Sequence, residues 1–387
     1  MDFELSEEQR LLVDSARAFA AAELTPHAAE WDREHHFPVD VIKRAAEQGY
    51  LALYLPEEDG GLGLSRLSAS LIFEQLAAGC IATTAFLTIH NMASWMLASF
   101  GDQALKDAWL PRLTSGQLLA SYCLTEPDAG SDAAHLRTRA RRDGDDYVLD
   151  GSKCFISGAG STDVLIVMAR TGEDGARGIS CFLVPGDAPG VKYGRNELKM
   201  GWRAQPTRTI SFEGVRIPAG NRIGPEGQGF VYAMKGLDGG RINIASCSLG
   251  AAQAALEQSL RYVEERKQFG KALAEFQALQ FKLADMLTDL TASRQMVRLA
   301  AAKLDARHPE ATLYCAMAKR FATDHCFTVC NDALQLHGGY GYLNDYPLER
   351  WVRDSRVHQI LEGTNEIMRV ITARRLLEQG GMLDRLL

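Results

Sequence analysis

The chain has 387 residues, 46% of them hydrophobic and 24% charged, with a formal net charge of −7 and a pI near 5.8. That much apolar side chain excludes disorder over most of the length, and the length asks for two or three packed subdomains. An acidic total argues against a broad nucleic-acid face, and apolar runs such as Val164–Ala169 fall short of the ~18–20 residues needed for membrane insertion.

From Ser6 to about Leu119 the pattern is helical. Ser6-Glu7-Glu8-Gln9 reads as a capping box ahead of the apolar positions Leu12, Ala16 and Phe19. Pro38 and Gly49 bracket a further helix, and Phe73–Ala78 and Thr84–Phe100 continue the texture. Near Ser121 the texture changes: residues 144–240 hold 19 of the 35 glycines. Between them stand β-rich runs at Tyr147–Leu149, Cys154–Ile156, Val164–Ala169, Ile179–Val184 and Thr209–Ile217. Asp150-Gly151 reads as a two-residue hairpin turn, and the spacing predicts a compact antiparallel barrel or sandwich. After Phe230 the helices return. No glycine or proline falls between Gly270 and Pro309, and Leu283, Leu287, Leu290, Val297, Ala301 and Leu304 trace one buried stripe. Helical from end to end, that stretch would span roughly 57 Å, and helices so long need partners in a bundle.

The eight cysteines form no C-x-x-C pair, and Cys326 and Cys330 beside His325 lack the second pair a zinc site needs, so reduced core thiols are expected and no metal. A dinucleotide fingerprint in a βαβ frame, a P-loop, H-E-x-x-H and a serine elbow are all missing. What remains is a set of unusual segments. Tyr122-Cys123-Leu124-Thr125-Glu126-Pro127-Asp128-Ala129-Gly130-Ser131-Asp132 exposes N–H groups and hydroxyls at one spot; alone it admits a turn or an anion- or heterocycle-binding loop. Gln335-Leu336-His337-Gly338-Gly339-Tyr340-Gly341-Tyr342 carries more glycine than a helix stop needs, which suits close approach of backbone to a flat or phosphate-bearing ligand. Ile360-Leu361-Glu362-Gly363-Thr364-Asn365-Glu366 sets a carboxylate beside apolar residues, ahead of a helix capped by Thr364 or Asn365. Glu362 is then either an exposed loop acid or a desolvated general base.

Together with Gly151–Gly160, Gly239–Ala251, Arg266–Gly270 and Val352–Arg369, these segments resemble the acyl-CoA dehydrogenases from near residue 3 to near residue 378. The resemblance is strongest to the branch that acts on isobutyryl-CoA, notably in Ile89-His90-Asn91-Met92. It implies an α+β, mostly α, fold: a helical domain over 1–120, an antiparallel β-barrel over 121–228 and a four-helix bundle over 229–387. It also implies FAD, an acyl-CoA oxidised across Cα–Cβ, and electrons passed to an electron-transfer flavoprotein. Tyr122 to Ser131 would line the flavin, with Phe155, Ile156 and Ser157 covering its other edge. Arg266, Phe276, Gln277, Gln335, Leu336, His337, Gly338 and Gly339 would hold adenine and pyrophosphate, largely from a neighbouring subunit, and Thr364, Asn365 and Glu366 add flavin contacts. A site shared in this way implies an oligomer, a tetramer in most relatives.

By the same resemblance Glu362 is the base, and the alternative position some members use is Gly240, which cannot accept a proton. Asp238, Gly239, Gly240, Arg241, Ser131 and Arg374 would touch substrate, although the isobutyryl branch has Asn at the position of Asp238. The basic strip Arg137, Arg139, Arg141 and Arg142 reads first as a solvated strand face. The reaction the resemblance implies first is isobutyryl-CoA to methacrylyl-CoA, with a 2-methylbutyryl or short straight-chain acyl group as the alternative. No nucleic-acid partner is expected. The start Met1-Asp2-Phe3-Glu4-Leu5 lacks export or organellar signal features, which favours a bacterial cytoplasm, with the mitochondrial matrix as the alternative for a processed chain.

Overall fold

The computed structural model describes residues 4–378; the outermost ends of the expected first and last domains, 1–3 and 379–387, lie outside the described residues. Six helices come first: α1 (Glu7–Phe19), α2 (Ala28–Glu34), α3 (Val39–Glu47), α4 (Arg66–Gly79), α5 (Ile81–Phe100) and α6 (Gln103–Thr114). The capping box at Ser6 forms as the sequence predicts, with Ser6 accepting from the Gln9 N–H and Gln9 answering to the Ser6 N–H, both at 3.1 Å. Pro38 stands at the N-cap of α3, and Gly49 turns left-handed just past its end.

Eight strands follow: β1 (Ala120–Cys123), β2 (Arg139–Asp143), β3 (Asp146–Ser157), β4 (Val164–Arg170), β5 (Ile179–Pro185), β6 (Val191–Tyr193), β7 (Thr207–Pro218) and β8 (Arg222–Ile223). Their order is β6-β7-β3-β2-β4-β5-β8, with β1 added beside β4. Most pairs are antiparallel as expected, but β1 and the start of β2 run parallel to β4. The uninterrupted apolar run of β4 has a physical reason. Val164, Ile166 and Met168 face the helical core, while Leu165, Val167 and Ala169 face a second core enclosed by the sheet. A strand buried on both sides cannot alternate polar with apolar.

One expectation fails in this region. Asp150-Gly151 is not a hairpin turn; β3 runs through it, with a register shift between Leu149 and Gly151. An added Cβ at Gly151 would lie 2.6 Å from Thr138 Cα, so the glycine lets the chain before β2 pass close where β3 bulges against β7. The turn lies earlier, at Gly144 between β2 and β3.

The last region holds α7 (Gly229–Glu265), a small hairpin of β9 (Lys267–Gln268) and β10 (Lys271–Ala272), then α8 (Gln277–Asp305), α9 (Ala311–His337), α10 (Leu348–Arg356) and α11 (Asn365–Glu378). The hairpin and a short 3₁₀ turn shorten α8, which spans roughly 44 Å instead of the 57 Å expected. Its buried stripe is Met286, Leu290, Ser293, Val297, Ala300 and Ala301; Leu287 points outward and is 55% exposed. Glycine within α7 serves contact. An added Cβ at Gly250 would sit 2.2 Å from the Glu74 carbonyl, so α4 and α7 meet at backbone distance. One apolar cluster therefore runs through both helical regions, from Ala16 to Trp351. Among the described residues no helix is long and apolar enough to cross a membrane, and no cluster of three metal-ligating side chains occurs.

Candidate active site

Glu362 sits in the short loop between α10 and α11, where it and Gly363 are consecutive left-handed residues, φ 56° and 89°. Glycine adopts that region freely and glutamate does not, so the surroundings must hold Glu362 there. The carboxylate lies against α7. An added Cβ at Gly240 would come within 1.9 Å of Glu362 Oε2, so this glycine makes the room the carboxylate occupies. Oε2 is shielded from solvent and has no hydrogen-bond partner. Burial raises the Glu362 pKa to about 7, against the opposing pull of Lys319 and Arg241. Of the two sequence readings, the exposed loop acid does not fit this environment.

Two buried arginines border the same stretch of α7. Arg241, 4% exposed, donates to Asp238 Oδ1 at 2.6 Å and leaves its Nε without a partner. Asp238 Oδ2 accepts from Thr312 at 2.6 Å, so this carboxylate is spent inside the protein as the anchor of Arg241. The Asp238 side chain expected to touch substrate is thus also the internal anchor of Arg241. Arg66 lies 3.5 Å over the Tyr54 ring and 4.9 Å from that of Trp95, and Gly239 makes room for its Nη1 as Gly240 does for Glu362. Tyr54 and Arg66 were not legible as site residues; their only sequence signal is an arginine opening an otherwise apolar helix.

The Tyr122–Ser131 segment leaves the end of β1. The Tyr122 hydroxyl is buried and unpartnered, burial raises its pKa, and it senses the charges of Glu362 and Arg241. Cys123 instead packs into the core enclosed by the sheet, and Glu126 points inward. Glu126 accepts from the backbone N–H of Arg137 and Thr138 and from Lys153 Nζ at 2.7 Å, while Lys153 also donates to the Leu124 carbonyl. Burial would raise the Glu126 pKa, but the Lys153 ammonium and these hydrogen bonds hold it below the usual range. The segment is thus fixed from beneath by a buried ion pair, and its outer residues Pro127, Asp128, Gly130 and Ser131 stay exposed. Phe155 stands at a second bulge of β3, left-handed at φ 58°, which turns its ring outward to 71% exposure. Ile156 is buried beside it, and Ser157 is half-buried with its carbonyl accepting from Ser121 Oγ at 2.6 Å.

Thr364 caps α11 by accepting from the Ile367 N–H, which resolves the choice between Thr364 and Asn365. The Asn365 side chain is buried and bonded to Lys319, Thr323 and Asp324. Glu366 and Arg374 are exposed on α11. The strip Arg137, Arg139, Arg141 and Arg142 is exposed, and Arg142 lies over the Tyr147 ring.

The remaining residues gather at the far end of α7. Arg266, Gln335, Leu336, His337, Gly338 and Gly339 line a cavity of about 470 Å³ with Tyr262, Leu273 and Tyr340. Arg266 lies 5.5 Å from the Tyr340 ring centroid, His337 stacks on Tyr262, and His337 Nε2 is buried without a partner. Added Cβ atoms at Gly338 and Gly339 would meet nothing within 4 Å. Phe276 and Gln277 begin α8 nearby, and Phe269 at the hairpin tip is 94% exposed. An open glycine cradle with a guanidinium, flat rings and a free ring nitrogen fits a nucleotide bearing a pyrophosphate. The unpartnered Tyr122 hydroxyl and the outward Phe155 fit the heterocycle at the other end.

Comparison with known proteins agrees with this geometry. Three family descriptions tile the chain: "Acyl-CoA dehydrogenase, N-terminal domain" over 6–117, the middle domain over 121–215 and the C-terminal domain over 227–377. The mitochondrial isobutyryl-CoA dehydrogenase of Bos taurus is 54% identical over 97% of this chain and 90% of its own length. A solved chain described under the electron transferring flavoprotein of Acidaminococcus fermentans is 40% identical, with a TM-score of 0.95 and coverage of 97% and 100%. The FAD complex of PigA is 32% identical, with a TM-score of 0.95 over 98% of this chain and 100% of that one. The chain belongs to the acyl-CoA dehydrogenase family.

Proposed function

We propose that the protein oxidises isobutyryl-CoA to methacrylyl-CoA, with Glu362 as the base, and passes the electrons to an electron-transfer flavoprotein. The observation that carries this reading is Glu362 Oε2, unpartnered and shielded from solvent over Gly240. The α-C–H of a thioester is a very weak acid, and a base held dry with a raised pKa has both the affinity for that proton and the room to reach it. The 54% identity to isobutyryl-CoA dehydrogenase favours the branched acyl group. Arg241 lends a buried positive charge near the base, which opposes the effect of burial and favours the ionised carboxylate that accepts the proton.

FAD, when bound, supplies the acceptor for the β-hydrogen as hydride. Tyr122 to Ser131, Phe155 to Ser157, and Thr364, Asn365 and Glu366 would hold its reactive end. Arg266, Phe276, Gln277 and Gln335 to Gly339 would hold its nucleotide end, and they come from a second copy. Gly240 and Arg266 lie 26 residues apart along α7, roughly 39 Å at the helical rise, beyond the reach of one bound dinucleotide. Two copies per site is the minimum this spacing supports, and the tetramer usual in the family satisfies it.

Anaerobic mixing of the yellow holoprotein with isobutyryl-, 2-methylbutyryl-, butyryl- and isovaleryl-CoA tests cofactor, chemistry and acyl preference together. Fastest bleaching is expected with isobutyryl-CoA. One methylene discriminates by only about 1–3 kcal/mol, so the neighbours should be slower by factors of roughly ten to a hundred. Bleaching by butyryl-CoA with no response to isobutyryl-CoA would overturn the substrate assignment.

A further inference from the structure

The base loop is held from behind by one face of α9, and the central group of that face is a lysine without exposed surface. Lys319 rises from a turn of small apolar residues, Cys315, Ala316, Ala318 and Ala322, all fully buried. Its Nζ donates to the Gly363 carbonyl at 2.8 Å and to Asn365 Oδ1 at 2.9 Å. Thr323, one helical turn on, exchanges hydrogen bonds with the Asn365 amide. Asp324 then accepts from Asn365 Nδ2 at 2.7 Å and from Gln359 Nε2 at 2.9 Å. Both shoulders of the loop, Gln359 before the base and Gly363 to Asn365 after it, are therefore tied to the same few residues of α9.

We propose that Lys319 is a positioning residue for the Glu362 carboxylate: it fixes the left-handed pair Glu362-Gly363 through the Gly363 carbonyl and sets a cation behind the base. The inference rests on the reading of Glu362 as the base. A buried ammonium is costly unless its donors are met, and here two of them are met by the loop itself. Removing it would leave the Gly363 carbonyl without this donor and free the loop to relax from the left-handed region. The electrostatic environment points the same way. Glu362 is faced by Lys319 from α9, by Arg241 and Cys247 from α7, by Tyr122 from β1 and by Tyr54 from the loop before α4. Lys319 in turn is faced by Glu362, Arg241, Asp324, Glu366 and His358. Lys319 and Arg241 each oppose the effect of burial on Glu362, and burial lowers Lys319 itself to about 7, so its charge bears on the acid limb while its hydrogen bond to the Gly363 carbonyl persists above it.

The test uses the holoprotein with Lys319→Met and Lys319→Gln, with Glu362→Gln as control, and reads kcat/KM and kcat against pH, FAD content and thermal melting. Lys319→Met removes both donor and charge. Its kcat/KM should fall about 10–100-fold at pH 8, with the fall in kcat and not KM, and its acid limb should move up by about one pH unit. Lys319→Gln restores a donor to the Gly363 carbonyl without the charge, so most of the kcat should return while the acid limb stays displaced. FAD content should stay at the wild-type level in both. A wild-type pH profile and kcat in Lys319→Met would overturn the proposal. So would insolubility of both variants beside a soluble Glu362→Gln, because Lys319 would then be a folding residue. Retained turnover in Glu362→Gln would instead remove the base assignment itself, whatever the lysine variants do.

Discussion

The two ends of α7 make opposite kinds of site. At the N-terminal end, Gly239, Gly240 and Arg241 are buried, glycine makes room for Arg66 and Glu362, and one chain supplies every wall described. At the C-terminal end, Arg266, Gly338, Gly339 and Tyr340 are exposed, and Phe269 projects into open space. Proton abstraction needs a dry, fixed carboxylate, which the interior of one subunit provides. Holding a pyrophosphate needs reachable donors on an open surface, and a second copy can complete that surface. The same helix therefore carries chemistry where it is sealed and binding where it is open.

Substitutions at the two ends should fail in different ways. The largest effect is expected from Glu362→Gln, which keeps shape and burial but removes the base. Turnover should drop at least ~10²–10⁴-fold while FAD content and CoA-ester binding persist, as measured by steady-state rates and ligand titration. Arg266→Ala should do the reverse. The rate per bound FAD should hold, while FAD is retained less tightly by about tenfold, the order expected for one exposed charge-assisted contact. Gel filtration of that variant with and without added FAD sharpens the contrast, since FAD shared between copies should also help to hold them together. Unchanged FAD affinity would remove Arg266 from the nucleotide site.

The sequence was most informative where burial follows period. The helix–sheet–helix order came from helical spacing before Ser121 and after Phe230, with short β-rich runs between, because a 3.6-residue stripe and a two-sided apolar strand are decided locally. The stripe of α8 was displaced at one position, Leu287 for Met286, since several apolar residues lie near one face and only the neighbour decides which is covered. Asp150-Gly151 misled for a related reason: a tight turn and a bulge both favour glycine, and only strand pairing tells them apart. Glu362 was visible as a carboxylate among apolar residues, but its dryness depends on Gly240, more than a hundred residues earlier. Lys153 and Lys319 passed unnoticed because a lone lysine in an apolar run reads as a surface position. Both are fully buried, and each is answered by groups distant in sequence or at the far side of a turn.

The pH dependence of kcat/KM with isobutyryl-CoA tests the base most directly, because it reports ionisation in the free enzyme. Burial lifts Glu362 to about 7. The carboxylate must be ionised to accept the α-proton, so kcat/KM should rise about tenfold per unit as pH increases toward 7 and level off above it. The limb should be absent from whatever residual rate Glu362→Gln retains. A profile already flat from about pH 5.5 upward, as an ordinary solvated carboxylate would give, would contradict a dry Glu362 as the base.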